Sequence, residues 1–295
     1  MVDALRLMRP LQWAKNGLVF LPFLFAVDIA WSVDSAGNVP DLLFRLVLVF
    51  LGFCGMASGV YVLNDLMDRK ADRRHPTKRN RPIASGRVSV PVAVALMVAL
   101  IGAGLAVIWY VAQQLGLVGL IYIAINVGYS LGGKNLPLLD VFAVASGYVI
   151  RAVVGALAIE VEPSPWLYTT TGAGALFIVL GRRYAEVRLA GEDAGEQRSA
   201  LNHYAGPFIS QLLNISATAA LLSYTLYTIE ADNLPDNNAM LFTLPLVALG
   251  LFRYLYLLNT SERAEAPEQL MVRDLPLLAC IVAWLAVSAV VLLNG

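Results

Sequence analysis

Apolar residues in this chain run in long unbroken blocks separated by short polar stretches. Blocks long enough to cross a bilayer, at roughly 20 residues each, fall at 14–32, 42–64, 90–110, 115–132, 137–159, 165–182, 208–229, 239–258 and 275–293. This pattern predicts an all-α integral membrane protein of about nine transmembrane helices, one transmembrane domain over 1–295. Two polar stretches are longer than the rest and are read as active-site loops, at about 65–89 and 183–207. Four helices separate them, so a doubled four-helix unit plus a ninth helix is one arrangement, resting on loop spacing alone.

Composition agrees with a lipid solvent. The chain is 58% hydrophobic and 14% charged, against about 25% charged in soluble domains. Net charge is zero, and no nucleic-acid partner is expected. The placement of charge is more telling than its sum. If the N-terminus is cytoplasmic, the inner segments hold 19 of the 21 Lys and Arg residues, all but Arg45 and Arg151. The outer loops then carry acids such as Asp34, Glu160, Glu162, Glu230, Asp232 and Asp236. Positive-inside placement therefore puts the N-terminus in the cytoplasm and the C-terminus outside. Arg6, Arg9 and Lys15 ahead of the apolar run Gly17–Ala26 resemble a secretory leader, but no small-residue cleavage site follows and the run fits the helix series.

The densest charge lies at Asn64-Asp65-Leu66-Met67-Asp68-Arg69-Lys70-Ala71-Asp72, continuing to Arg81-Pro82. At about 100° per residue, Asn64, Asp65, Asp68 and Asp72 fall within an arc of roughly 100° on a helix. Carboxylates so placed repel one another unless a cation sits among them. Oxygen-only ligands suit a hard ion, and Mg2+ is typically held by one or two carboxylates plus substrate phosphates. The basic run that follows would meet those phosphates. The competing reading, a solvated topology loop, accounts for the Lys and Arg but for no acidic face.

Other features read more plainly. Gly102-Ala103-Gly104 and Gly172-Ala173-Gly174 lie inside apolar blocks and are expected to be helix-packing contacts. Ser130-Leu131-Gly132-Gly133 reads as a tight turn before Lys134. Cys54 and Cys280 read as buried hydrophobes and His203 as a loop residue. Arg151 is costly inside a membrane helix and implies a partner or a wet groove. Asp140 falls on nearly the same face but about 16 Å along the axis, too far to pair with it directly. No Walker loop, Rossmann glycine pattern or Ser-His-Asp set occurs.

With these residues in view, the chain resembles the UbiA superfamily of intramembrane prenyltransferases. Asn64-Asp65-x-x-Asp68-x-x-x-Asp72 matches its first aspartate-rich motif, and nine helices match its fold. It looks most like the polyprenyl-phosphate (decaprenyl-phosphate) 5-phosphoribosyltransferase branch. That narrower likeness rests on Arg9-Pro10-x-Gln12-Trp13-x-Lys15-Asn16, His75-Pro76-x-Lys78-Arg79-x-Arg81-Pro82-Ile83-Ala84-x-Gly86, Tyr129-Ser130-x-x-x-Lys134, Arg151-Ala152 and Arg183-Tyr184-Ala185-Glu186. Where aromatic-acceptor members carry a second Asp-x-x-x-Asp, this chain reads Arg182-Arg183-Tyr184-Ala185-Glu186. That exchange favours direct phosphate binding over a second metal.

The resemblance implies a Mg2+-dependent transfer of 5-phosphoribosyl from 5-phosphoribosyl 1-diphosphate to a polyprenyl phosphate, at the cytoplasmic face of a bacterial plasma (inner) membrane. Asn64, Asp65, Asp68 and Asp72 would hold the metal, with Asp65, Asp68 and Asp72 catalytic. Lys15, Lys78, Arg81, Tyr129, Lys134, Arg182, Arg183, Tyr184 and Glu186 would bind substrate. The product would serve as a step towards polyprenyl-phosphate pentose donors for cell-envelope glycans. The alternative is transfer of a prenyl group from its diphosphate to an aromatic or other small acceptor. A transporter fits less well, since nearly all the charge sits at one face. Homo-oligomerisation stays open.

Overall fold

The computed structural model describes residues 2–75, 78–190, 199–204, 207–261, 270 and 273–294. Part of the expected loop at 183–207 therefore lies outside the described residues, as do Pro76 and Thr77 of the first loop.

The chain opens with a short helix, α1 (Val2–Met8). An eleven-residue 3-10 stretch, Pro10–Phe20, and one α-turn, α2 (Leu21–Leu24), follow. The expected helix at 14–32 is thus not one regular element. Arg9 enters it in the left-handed region (φ 51°), and Pro10 and Pro22 fall at its two helical starts, where a missing N–H costs nothing. Beyond Leu24 the chain turns, with Asp28 again at positive φ.

Long helices then take over: α3 (Val39–Met67), the short α4 (Arg69–Arg74), α5 (Val90–Val111), α6 (Gln113–Leu131) and α7 (Leu139–Ala158). They are followed by α8 (Pro165–Ala190), α9 (Pro207–Glu230), α10 (Leu244–Thr260) and α11 (Leu275–Asn294). Pro sits in the first turn of α3, α5, α8, α9, α10 and α11, where its fixed φ suits helix initiation. Seven helices among the described residues are long and apolar enough to cross a membrane. The expected span at 165–182 is helical but lies outside those seven. Tyr168, Thr169, Thr170 and Thr171 make its first half polar, and it runs on through Arg182, Arg183 and Glu186.

Burial ranks the helices. The most apolar window of the span containing α3 is 61% buried and that of α7 is 50%, against 17% for α5. So α3 and α7 are central, and α5 presents most of its surface outward. One core packs α3, α7 and the 3-10 stretch around Leu46, Val49, Phe53, Met56 and Val154. The other joins α7, α8, α9 and α10 around Phe177, Leu180, Leu213, Tyr254 and Leu258. Because α7 serves both, residues at its start can address both halves.

Small residues set the α3–α5 contact. A methyl added at Gly104 would run into the Gly52 carbonyl and stand 2.9 Å from Met56 Cγ, and one at Gly55 would stand 3.1 Å from the Leu100 carbonyl oxygen. Without a hydrophobic effect between helices in lipid, such close approach supplies the attraction. The expectation of packing glycines holds for Gly104, whereas Gly102 and Gly174 have open space at that position. Gly174 instead lines two adjoining apolar cavities of about 330 and 280 Å³.

Candidate active site

The acid face forms at the end of α3. Asp68 interrupts the helix between α3 and α4, yet the four-residue spacing survives, because Asp68 N–H donates to the Asn64 carbonyl at 2.9 Å and Asp72 N–H to the Asp68 carbonyl at 2.8 Å. Asp65 and Asp72 are buried, at 3% and 4% exposure. Asp68 is the more open of the three.

Cations meet every one of these carboxylates. Arg81 Nη1 lies 3.1 Å from Asp65 Oδ1 and 2.8 Å from Asp72 Oδ2. The loop that delivers it is anchored by Ile83, fully buried against Leu7, Val62 and Ala93, and turned by Gly86 at φ 84°. Arg9 Nη2 reaches the same Asp65 oxygen at 2.5 Å while its guanidinium lies 5.1 Å over the Tyr61 ring. Lys134, on a 3-10 turn following α6, pairs with Asp68. Asn64 Oδ1 accepts from the Ser130 hydroxyl at 2.6 Å.

A single guanidinium nitrogen thus sits within 3.1 Å of both Asp65 and Asp72. It marks one point on which two carboxylates converge, with oxygen donors only. That donor set fits a hard divalent cation whose remaining ligands come from a diphosphate. Among the described residues, no three His, Cys, Asp or Glu side chains converge as a self-sufficient metal site.

The second charged group lies on α8. Arg183 is buried, its Nε donating to Asp140 Oδ2 at 2.8 Å and its Nη1 to Glu186 Oε2 at 2.5 Å. Arg182 Nε donates to the other Glu186 oxygen at 3.0 Å and is much more exposed. Asp140 also accepts from the Tyr204 hydroxyl at 2.5 Å, and Tyr204 accepts in turn from the Leu138 N–H at 2.6 Å. Burial first, and then that bond to a carboxylate, push the Tyr204 hydroxyl above its ordinary pKa. Tyr184 donates to Asn259 at 2.6 Å.

The end of α6 joins the two groups. Ser130 and Lys134 face the acid motif, and Tyr129 lies within electrostatic range of Arg183. Lys15 and Lys78 are half-buried. The Lys78 N–H contacts His75 Nδ1 at 3.4 Å, and burial together with Lys78 lowers the His75 pKa.

Arg151 finds no carboxylate among the described residues. It donates to Asn16 Oδ1 at 2.6 Å, to Tyr122 OH at 3.2 Å and to the Gly147 carbonyl, with the Tyr122 ring 5.2 Å away. Asn16 in turn donates to the Cys54 sulfur at 3.1 Å.

Residues 19–275 match the UbiA prenyltransferase family. The chain belongs to that family.

A decaprenyl-phosphate phosphoribosyltransferase of Mycolicibacterium smegmatis is 32% identical over 289 residues, covering 95% of this chain and 89% of the relative. One of Mycobacterium tuberculosis is 34% identical over 278 residues, covering 94% and 90%. Among solved structures, a UbiA homolog from Archaeoglobus fulgidus bound to DMAPP and Mg2+ superposes with a TM-score of 0.73 at 18% identity, covering 99% of this chain and all of that one. The last likeness speaks for the UbiA fold alone.

Within this UbiA chain the sequence left four site neighbours unassigned. Arg9 and Ser130 fall in the family-like motifs with no role of their own, Asp140 stands out only as a groove partner on the helix face of Arg151, and Tyr204 carries no signal in the sequence. Their partners lie 43 to 66 residues away along the chain, beyond what local spacing carries.

Proposed function

We propose that this protein transfers 5-phosphoribosyl from 5-phosphoribosyl 1-diphosphate to a decaprenyl-type polyprenyl phosphate, releasing diphosphate. The observation that carries the reading is the number of cations gathered at one end of the bundle. Arg9, Arg81 and Lys134 meet the acid face, and Arg182 and Arg183 pair with Glu186 on α8, where the resemblance would lead one to expect a second acidic motif in aromatic-acceptor members. A donor with a diphosphate and a 5-phosphate, together with a phosphate acceptor, needs that many positive groups. The names of relatives that span nearly the whole chain agree with it.

Asp65 and Asp72, with Asn64 and Asp68 beside them, would hold Mg2+ against the donor diphosphate. Mg2+ there would neutralise charge and make diphosphate a better leaving group. The ribosyl C1–oxygen bond to diphosphate breaks as an acceptor phosphate oxygen forms a new bond to C1. That oxygen is already ionised at neutral pH, so no strong base is required. Arg81, Lys134 and Arg182, with Lys15 and Lys78, bind phosphates. Buried Arg183 positions Glu186, and Tyr129, Tyr184 and Glu186 line the ribose side. Release of diphosphate leaves a lipid-linked pentose suited to later use as a pentose donor for envelope glycans.

The two apolar cavities, which share Thr170, Gly174, Ile178, Tyr224 and Trp284, take the lipid tail. On α8 they extend from Trp166 to Ile178, about 18 Å along the axis, one turn short of Arg182. The first segment and α8 complete nine crossings, and the basic residues orient the charged end toward the cytoplasm, with the C-terminus outside. The membrane is the plasma membrane.

The test is transfer of ribose label from 5-phosphoribosyl diphosphate to lipid, using purified protein, Mg2+ and polyprenyl phosphate. Asp72→Asn should lower the rate by about 100-fold or more, the scale of losing a preorganised charge contact. Product formed only from a prenyl diphosphate and an aromatic acid would replace this reading with prenyl transfer.

A further inference from the structure

At the acid face three carboxylates meet three cations, one for one: Asp65 with Arg9, Asp72 with Arg81 (which also touches Asp65), and Asp68 with Lys134. These six groups sum to zero charge. A carboxylate cluster draws in a free divalent ion through its uncompensated field, and a compensated cluster has little such field. The same cations are poised to leave. Arg81 makes both of its contacts through one nitrogen, Nη1. The side chains of Arg9, Arg81 and Lys134 stay 31%, 30% and 16% exposed, so each can turn to a phosphate at the open side of the site.

Arg9 is built for such service. Its backbone is held at φ 51° and ψ 61°. Trp13 Nε1 donates to the Ser58 hydroxyl at 3.0 Å, and that hydroxyl donates to the Met8 carbonyl at 2.9 Å. These bonds fix the turn from which Arg9 reaches Asp65.

We infer that the acid face does not take up its divalent cation alone. The ion enters with the diphosphate, whose oxygens draw Arg9, Arg81 and Lys134 off the carboxylates and so free Asp65 and Asp72 for the metal. Arg9 thereby becomes a further donor-binding residue. This deepens the phosphoribosyl-transfer reading and rests on its diphosphate donor. Thermodynamic linkage then requires metal and diphosphate to raise each other's affinity by one common factor.

The experiment uses the full chain in detergent, with radioactive Mn2+ retained on ultrafiltration as the readout. Diphosphate should raise Mn2+ affinity at least about tenfold, well inside the usual range of coupling between sites, and Mn2+ should raise diphosphate affinity equally. In Arg9→Gln and Arg81→Gln, Mn2+ retention without diphosphate should rise while the coupling shrinks. Stoichiometric Mn2+ uptake by the wild-type protein, indifferent to diphosphate, would overturn the inference without reference to any variant. Coupled uptake with a prenyl diphosphate but none with 5-phosphoribosyl diphosphate would uphold the exchange and overturn the donor assignment, which keeps the two ideas separable.

Discussion

Arg183 on α8 and Asp140 at the start of α7 form an ion pair at 2.8 Å, with side-chain exposures of 3% and 0%. Each group offsets much of the desolvation cost of burying the other, and Glu186 holds Arg183 from a second side at 2.5 Å. The pair also ties the second charged group of the site to the helix shared by both cores.

Asp140→Ala should therefore destabilise the protein by up to about 3–5 kcal/mol, the scale of breaking a buried ion pair, reduced by the Glu186 carboxylate that still holds Arg183. Asp140→Asn, which keeps an acceptor for Tyr204, should cost less. Thermal unfolding in detergent gives both values, and equal stability for all three proteins would mean the pair contributes nothing.

Tyr204→Phe removes a donor from Asp140 and strands the Leu138 N–H, a loss of about 1–3 kcal/mol. The pH dependence has a definite sign. The Tyr204 hydroxyl has a raised pKa in the folded protein, so its contribution is complete below the ordinary tyrosine value near about 10. It fades as pH climbs through the raised value. Wild type and Tyr204→Phe should thus converge in unfolding midpoint at strongly alkaline pH.

A carboxylate outside the bundle core gives the opposite sign. Asp274 accepts from Arg253 at 2.7 and 3.0 Å and from the Leu277 N–H at 2.9 Å. The Arg253 bond holds its pKa below the usual carboxylate range. Its stabilisation is present above the ordinary value of about 3.9 and is lost as pH falls through the lowered one. Arg253→Met should lower stability at neutral pH, and the gap to wild type should close on acidification.

Gly104→Ala should force α3 and α5 apart, since the new methyl meets the Gly52 carbonyl, which cannot swing aside as the Met56 side chain beside it can. Overpacking of this kind costs about 1–3 kcal/mol. Gly102→Ala, with open space at the same position on the next face, is the matched control and should be nearly silent.

The helices were legible because block length alone reports a membrane span, and the acid motif was legible because its spacing matches a helix. Neither signal reaches further. The 14–32 block is apolar enough to pass for one helix, yet Pro22 and the left-handed Asp28 break it. Arg182 and Arg183 look interchangeable in sequence. The face of α8 that turns inward separates them, burying one against Asp140 and leaving the other to the open side. Arg151, expected to face a partner or a wet groove, is held by the Asn16 amide and the Tyr122 phenol from two other segments and by the Gly147 carbonyl one turn back on its own helix.

Charge gathered at one end of α7 and α8 and an apolar chamber at the other give the bundle a polarity along its axis. On the proposed function, a lipid headgroup would enter the charged end from the leaflet that borders it, with its hydrocarbon trailing sideways into the chamber. The modified lipid would leave by the same route, so such a reaction would move no headgroup across the bilayer.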